Sequence, residues 1–270
     1  MMEISVIIPT YKPQTYLWEC LDSLCQQTFS KQDFEIILIL NGCDAPYQTQ
    51  IKEYISTHMQ DMNINFIHIK QSGVSNARNV GIDNARGRFV TFIDDDDYVS
   101  KNFLQGLYYA ISDNVIPVSN MKAFIEGESS FIYYEKEELF KQLKGAPKSI
   151  NEMKKFLSIS VAKLIPLKDV IKNRRFNPQF KNGEDSLFMF LISDHIKHIS
   201  FSTDDAIYYR RYRDNSALTT QKPFLHILNN RMKLALAYTK IYFSHPTKYN
   251  LIFYITRLMA CIKAILHKQS

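Results

Sequence analysis

The 270-residue chain has only four cysteines, and Cys20, Cys25, Cys43 and Cys261 show neither CxxC spacing nor a histidine pattern beside them. This gives no sign of a zinc cluster or a disulfide framework, and it fits a reducing compartment. No glycine-rich GxGxxG or GxxxxGK[ST] loop occurs, so the phosphate cradles of dinucleotide-binding and Walker-type folds are absent. Glu3 stands where a secretory leader would carry basic residues, and a strand-like ISVIIPTY follows at once; no export peptide and a cytoplasmic location are therefore expected. Acidic residues are missing from the C-terminal end: from Lys222 to Ser270 there are eight Lys/Arg and no Asp or Glu. Of the 33 basic residues that leaves 25 against 27 acids elsewhere, so the net charge of +6 divides into +8 on the tail and −2 on the rest. A basic character confined to one end gives the body no electrostatic reason to bind nucleic acid.

What is present is a globular balance, 46% hydrophobic and 22% charged, with 16 tyrosines and 18 phenylalanines for core and aromatic-lined surfaces. Short β-rich runs (ISVIIPTY, FEIILILNG, INFIHIK, RFVTFID, NVIPVSN) alternate with helical patterns. In PQTYLWECLDSLCQQT, Leu17, Cys20, Leu21 and Leu24 recur at helical spacing. Asp44 and Pro46 are expected to open a second helix as cap and first-turn proline, SNARNVGIDNARG forms a third ending at Gly87, and Phe103, Leu104, Leu107 and Ile111 share one face of a fourth. Such alternation implies an α/β fold, a mostly parallel sheet with helices on both faces. In these sheets ligands gather beyond the carboxyl ends of the strands. Thr10 and Tyr11, the stretch from Asn41 to Asp44, and four successive aspartates, Asp94 to Asp97, all fall at such ends.

Four adjacent carboxylates at the end of a buried strand repel one another and need donors or a cation. A solvated turn in which Asp97 or Ser100 caps the next helix would explain them, and so would an oxygen-ligand site for a hard divalent ion. The convergence of three polar strand ends favours the ion. If a nucleotide binds without a glycine loop, Mn²⁺ or Mg²⁺ on the aspartates would hold its phosphates.

VIIPTY, SGVSNARNVGIDNARGRFVTFIDDDDYV, RRFNPQFKNGEDSLF and YYRRYRDNS, in this order, resemble family 2 glycosyltransferases of the GT-A, Rossmann-like fold, over about Ile4 to Thr219. The resemblance implies an inverting, metal-dependent transfer of sugar from a nucleotide-diphosphate donor, a UDP-sugar by expectation, to a hydroxyl of a glycan or lipid-linked saccharide acceptor in cell-surface polysaccharide synthesis. It makes Asp96 the metal ligand with Asp94 assisting, Asp95 the ribose contact, and Asp185 the general base, with Glu184 beside it in GED. Read alone, Glu184 and Asp185 would be first-turn acids favoured by the helix dipole. Arg211, Arg213 and Ser216 match a basic segment that closes over the donor diphosphate, and Pro9, Thr10 and Tyr11 line the nucleotide. Arg210 is given no role. Strand two departs from the family's paired acids and has Leu40 and Asn41; Asn41 could pair with a base or simply shape an Asn-Gly turn. Arg78 and Asn79 would either orient the base or buttress the carboxylates. Acceptor specificity is expected between Met121 and Lys181.

Residues 1–220 are expected to form the transferase domain and residues 221–270 a basic, apolar helical extension. In the extension, NLIFYITRLMACIKAIL is too short for a confident membrane span. It reads either as a helix packed on the domain or as an amphipathic helix in peripheral contact with the cytoplasmic face of a membrane. Two other functions fit parts of the sequence: a sugar nucleotidyltransferase, and a noncatalytic basic module for membrane or nucleic acid.

Overall fold

The computed structural model describes residues 1–113, 115–128, 130–145, 148–213 and 223–266. Its centre is a five-stranded sheet of β1 (Ile4–Thr10), β2 (Phe34–Asn41), β3 (Ile64–Ile69), β4 (Phe89–Phe92) and a short edge strand at Ile165–Pro166. In the order edge, β4, β1, β2, β3, all neighbours are parallel except the antiparallel edge. Every residue of β1, β2 and β4 is buried, which is why these strands read as mostly apolar runs, broken within by Ser5, Glu35 and Thr91, and not as a regular apolar–polar alternation. The helices α1 (Tyr16–Cys25), α2 (Tyr47–His58) and α3 (Val74–Asn84) connect the strands. The α3 helix lies so close that a Cβ on Gly81 would stand 2.4 Å from Ile7 Cγ2. Only glycine permits that approach.

Pro9 sits inside a central strand, where proline is normally excluded. The Ile7 carbonyl accepts from Ile93 N, so odd positions of β1 face β4, and the β4 register ends at Phe92 opposite Ile7. Pro9 therefore points where the ladder has already finished, and its missing N–H deprives no neighbour.

Beyond β4 come β5 (Tyr98–Val99), α4 (Phe103–Tyr109), β6 (Val115–Val118), β7 (Asn120–Ile125), β8 (Phe131–Ile132), α5 (Glu135–Leu143), β9 (Lys148–Ser149) and α6 (Ile150–Met153). The edge strand Ile165–Pro166 is β10, followed by α7 (Glu184–Ile192), β11 (His198–Phe201), β12 (Ile207–Tyr212), α8 (Phe224–Ser244) and α9 (Leu251–Leu266). NVIPVSN thus leaves the main sheet: β6 joins β11 and β9, while β12 is the parallel neighbour of β7 in a sheet that also holds β5 and β8. Phe190 on α7 gathers Tyr238, Tyr249 and Phe253, which seats α8 and α9 on the body.

Three local expectations are corrected. Pro46, not Asp44, is the residue before α2; the Asp44 carboxylate lies 2.9 Å from His68 Nε2 and caps nothing. The third helix stops at Asn84, and Gly87 instead fits against the backbone of Ile4 and Ser5. Asp97 does not cap α4, whose preceding residue is Asn102; it is buried and bonded elsewhere.

Candidate active site

The carboxyl ends of the adjacent strands β4, β1 and β2 bring together the aspartate run, Thr10 and Asn41. The four aspartates do not share one environment. Asp94 Oδ1 accepts from Arg78 Nη2 at 2.8 Å, and Asp95 accepts from the Thr10 hydroxyl. Asp96 Oδ2 takes Arg213 Nη2 at 2.5 Å and Nε at 3.1 Å. Asp97 accepts from the Tyr208 hydroxyl at 2.6 Å and the Arg211 amide at 2.8 Å. Tyr208 and Arg211 belong to β12, so the run's last acid fastens that strand to the end of β4.

Arg78 is the hub, only 2% exposed. Its Nη1 donates to Asp185 Oδ1 at 2.7 Å and lies 3.5 Å from Glu184 Oε1, while its Nη2 holds Asp94. The guanidinium rests over the Phe176 ring, 5.3 Å from its centroid, and Phe176 in turn stacks on Phe188 at 3.8 Å. Asn79 completes the mounting, exchanging hydrogen bonds of 2.8 and 2.9 Å with the Phe176 backbone. Arg78 and Asn79 therefore buttress. Burial works against the arginine's charge, but Asp185, Asp94 and Glu184 more than reverse it and hold its pKa above the usual range.

Asp185 is delivered by Gly183, which takes a left-handed φ of 86° just before α7. Asp185 Oδ1 receives both Arg78 and, at 2.7 Å, the hydroxyl of Ser160. Its Oδ2 makes no hydrogen bond among the described residues, and the side chain is 25% exposed. That is the geometry of a fixed carboxylate with one oxygen open to an incoming hydroxyl. Ser160 was not singled out in the sequence, nor was Lys163, which is buried and donates to the carbonyls of Ile159 (2.7 Å) and Val161 (2.6 Å) on either side of that serine. No local sequence pattern marks either residue.

The other expected residues divide. Arg213 lies beside Asp96 with its guanidinium 4.3 Å from the Tyr16 ring centroid, facing the site. Arg211 is committed to the fold, donating to the Asp96 carbonyl at 2.9 Å and to Glu19. Arg210 reaches the Tyr134 hydroxyl at 3.3 Å. Tyr11 is 49% exposed at the mouth, whereas Pro9 is buried in the sheet. Asn41 is buried with both ends of its amide engaged, donating to the Thr10 carbonyl at 2.7 Å and accepting from Gly73 N at 2.8 Å; it shapes the strand end. Ser216 lies outside the described residues.

Charge is crowded here. Burial, then Asp96, pushes Asp95 up to about 7, and burial, then Asp185, pushes Glu184 up to about 7. Asp96 is raised by burial and by Asp94, and Asp97 is held well above the usual range by burial, Asp96 and Asp94. Among the described residues no three His, Cys, Asp or Glu side chains converge to hold a metal by themselves. Asp94 and Asp96 each meet an arginine through one carboxylate oxygen, and the other oxygen of each, without a hydrogen bond among the described residues, suits an ion that takes its remaining oxygens from water and diphosphate. Because Asp95 and Glu184 bind protons more tightly folded than unfolded, their contribution is complete below the unfolded carboxylate range and is lost as pH rises through about 7. Lys163, lowered to about 7 by burial, acts in the opposite sense and only above that pH. The expected result is a wild-type melting temperature that falls relative to Glu184→Gln between about pH 5 and about pH 7.5. A constant difference across that range rejects the coupling.

The sequence profile described as Glycosyl transferase family 2 matches residues 5–161. This chain belongs to that family. It is 30% identical over 248 residues to Glycosyltransferase GlyA of Streptococcus pneumoniae, covering 85% of this chain and 34% of that protein. It is 27% identical over 234 residues to the poly(ribitol-phosphate) beta-N-acetylglucosaminyltransferase TarS of Staphylococcus aureus, covering 84% and 39%. The chain thus spans between a third and two fifths of the length of these curated relatives. Among solved structures, S. aureus TarS 1-349 in complex with UDP-GlcNAc superposes with a TM-score of 0.67 at 23% identity, over 98% of this chain and 82% of that one. The mannosyltransferase PcManGT of Pyrobaculum calidifontis, in complex with GDP-Man and Mn2+, gives 0.61 at 12% identity, over 99% and 75%. These likenesses establish the expected GT-A fold. Family membership puts Arg78, the aspartate run and Ser160 inside the matched stretch; Asp185, Arg211 and Arg213 lie beyond it.

Proposed function

We propose that this family 2 chain is an inverting glycosyltransferase that moves a sugar from a nucleotide-diphosphate donor, a UDP-sugar, to a hydroxyl of a cell-surface glycan or lipid-linked saccharide. The observation that carries this reading is the Arg78 bridge, 2.8 Å to Asp94 and 2.7 Å to Asp185. It makes the strand-end acids and the acid of α7 two halves of one site, separated by a single guanidinium. The naming of TarS as a poly(ribitol-phosphate) beta-N-acetylglucosaminyltransferase and its complex with UDP-GlcNAc support the donor class.

In this mechanism the acceptor hydroxyl approaches Asp185 Oδ2, which takes its proton as the oxygen attacks the anomeric carbon. Arg78 and Ser160 hold the other oxygen, so the base cannot rotate away. Direct displacement from the face opposite the diphosphate inverts the anomeric configuration. Asp96, with Asp94, would hold Mn²⁺ or Mg²⁺, which supplies Lewis-acid stabilisation of the departing diphosphate. Arg213 adds a fixed cation beside Asp96 for the same charge. Asp95 contacts the ribose, with Thr10 fixing its carboxylate, and Tyr11 offers an exposed aromatic face to the base. Asn41 serves by shaping the pocket floor.

Titration calorimetry with UDP-GlcNAc, UDP-glucose and GDP-mannose, each with and without Mn²⁺, tests this reading. Ion-dependent binding of a UDP-sugar is expected. Turnover of a nucleoside triphosphate with release of pyrophosphate would replace the reading with nucleotidyl transfer.

A further inference from the structure

Helix α9 is apolar on both of its faces. Toward the body it presents Phe253, Tyr254, Arg257 and Cys261, and the Arg257 Nε is buried with no hydrogen-bond partner. Toward water it presents Leu251, Ile252, Ile255, Met259, Ile262 and Leu266, each between 44% and 61% exposed. A surface helix ordinarily turns a polar face to water. The spacing of these six puts them on one stripe roughly 22 Å long at 1.5 Å per residue. On α8, Leu225, Met232, Leu236 and Phe243 follow one face and are 57–75% exposed.

The charge around the stripe is of one sign. Residues 223–266 contain Arg231, Lys233, Lys240, Lys248, Arg257 and Lys263 and no acid. Lys233 and Lys240 alternate with Met232, Leu236 and Phe243 along α8, and Lys263 follows Ile262 on α9; all three are exposed and form no ion pair within 4 Å among the described residues. One acid on another element, Glu135 of α5, feels Lys263 but is paired with Lys155. A second copy would satisfy the apolar stripe but would set lysine against lysine. An anionic lipid surface satisfies both stripe and charge. No described helix is long and apolar enough to cross a membrane, and the 16 residues of α9 reach only about 24 Å against a hydrocarbon core of about 30 Å.

We propose that the α8–α9 face docks on an anionic lipid bilayer, α9 lying in the plane of the surface with its stripe among the headgroups and the lysines on lipid phosphates. The proposal is independent of transferase activity, because docking is measured without donor or acceptor. The full chain, mixed with sedimentable vesicles of phosphatidylcholine alone or in equal parts with phosphatidylglycerol, is expected to pellet with the anionic vesicles and to be released by salt. Ile255→Glu/Met259→Glu and, separately, Lys233→Glu/Lys240→Glu/Lys263→Glu should each weaken binding by about tenfold or more. Unchanged circular-dichroism melting would show that both variants fold. Three results overturn the proposal: no binding by the folded wild-type chain, equal binding to neutral and anionic vesicles, or a concentration-dependent dimer in light scattering that Ile255→Glu/Met259→Glu abolishes.

Discussion

Asp185→Asn is expected to lower kcat for sugar transfer by about 10²–10⁴-fold, the range for removing a positioned general base. Donor affinity should change by no more than about threefold, because the missing charge faces the acceptor and not the nucleotide. The amide keeps the shape of the side chain, and Arg78 retains Asp94 and Glu184 as partners. A collapse of the site is therefore not the expected cause of the loss. Steady-state kinetics together with calorimetry on the same preparation separates the outcomes. Full transfer by purified Asp185→Asn removes this residue as base; a parallel loss of donor binding makes it structural. Ser160→Ala, which frees the carboxylate from its hydroxyl clamp, should cost less, roughly tenfold, and should fall on kcat.

Asp96→Asn is expected to act on the donor side. It removes the carboxylate that would hold the ion and at the same time releases Arg213 from the 2.5 Å contact that aims it. Loss of the carboxylate that would hold the ion on the donor diphosphate is expected to weaken donor binding by at least about 30-fold, about 2 kcal/mol. The variant should also stop responding to Mn²⁺, while Asp94→Asn, whose carboxylate is already held by Arg78, should respond more weakly but still respond. The reverse ranking would move the principal ligand from Asp96 to Asp94. Calorimetric donor titrations in Mn²⁺ and in chelator decide between them.

The central sheet was legible because its strands are buried on both faces: Ile36 to Leu40 admit no polar residue, and such a run has few alternatives. The strand ends were legible because the apolar runs stop there and polar residues begin, even though Thr10, Asn41 and Asp97 are themselves buried. What escaped was long-range pairing. Asp97 obeys the local rule for a helix cap, yet Tyr208, 111 residues away, captures it. Asp44 obeys the same rule and is drawn to His68. Ser160 carries no periodicity and is recruited only because the chain returns beside β4, as the bridge between Phe92 and Val161 shows. Asn41 was ambiguous in sequence because an amide can serve a ligand or a turn; here both its ends meet backbone. β5, β8, β9 and β10 are two residues each, too short for any pattern to announce them.

Arg78 is also a spacer of fixed length. One planar group sets how far the acid from α7 stands from the acid after β4, and neither can drift without uncovering a buried charge. In a chimaera whose amino-terminal half comes from one relative and whose α7 comes from another, the guanidinium and its two carboxylates would have different parents. Exchange of the intervening segment, from Met121 to about Ser158, leaves all three with one parent and keeps Ser160 in place. If that segment shapes the acceptor surface, as proposed, crossovers placed there change the acceptor while preserving the spacing of Asp94 and Asp185 across Arg78.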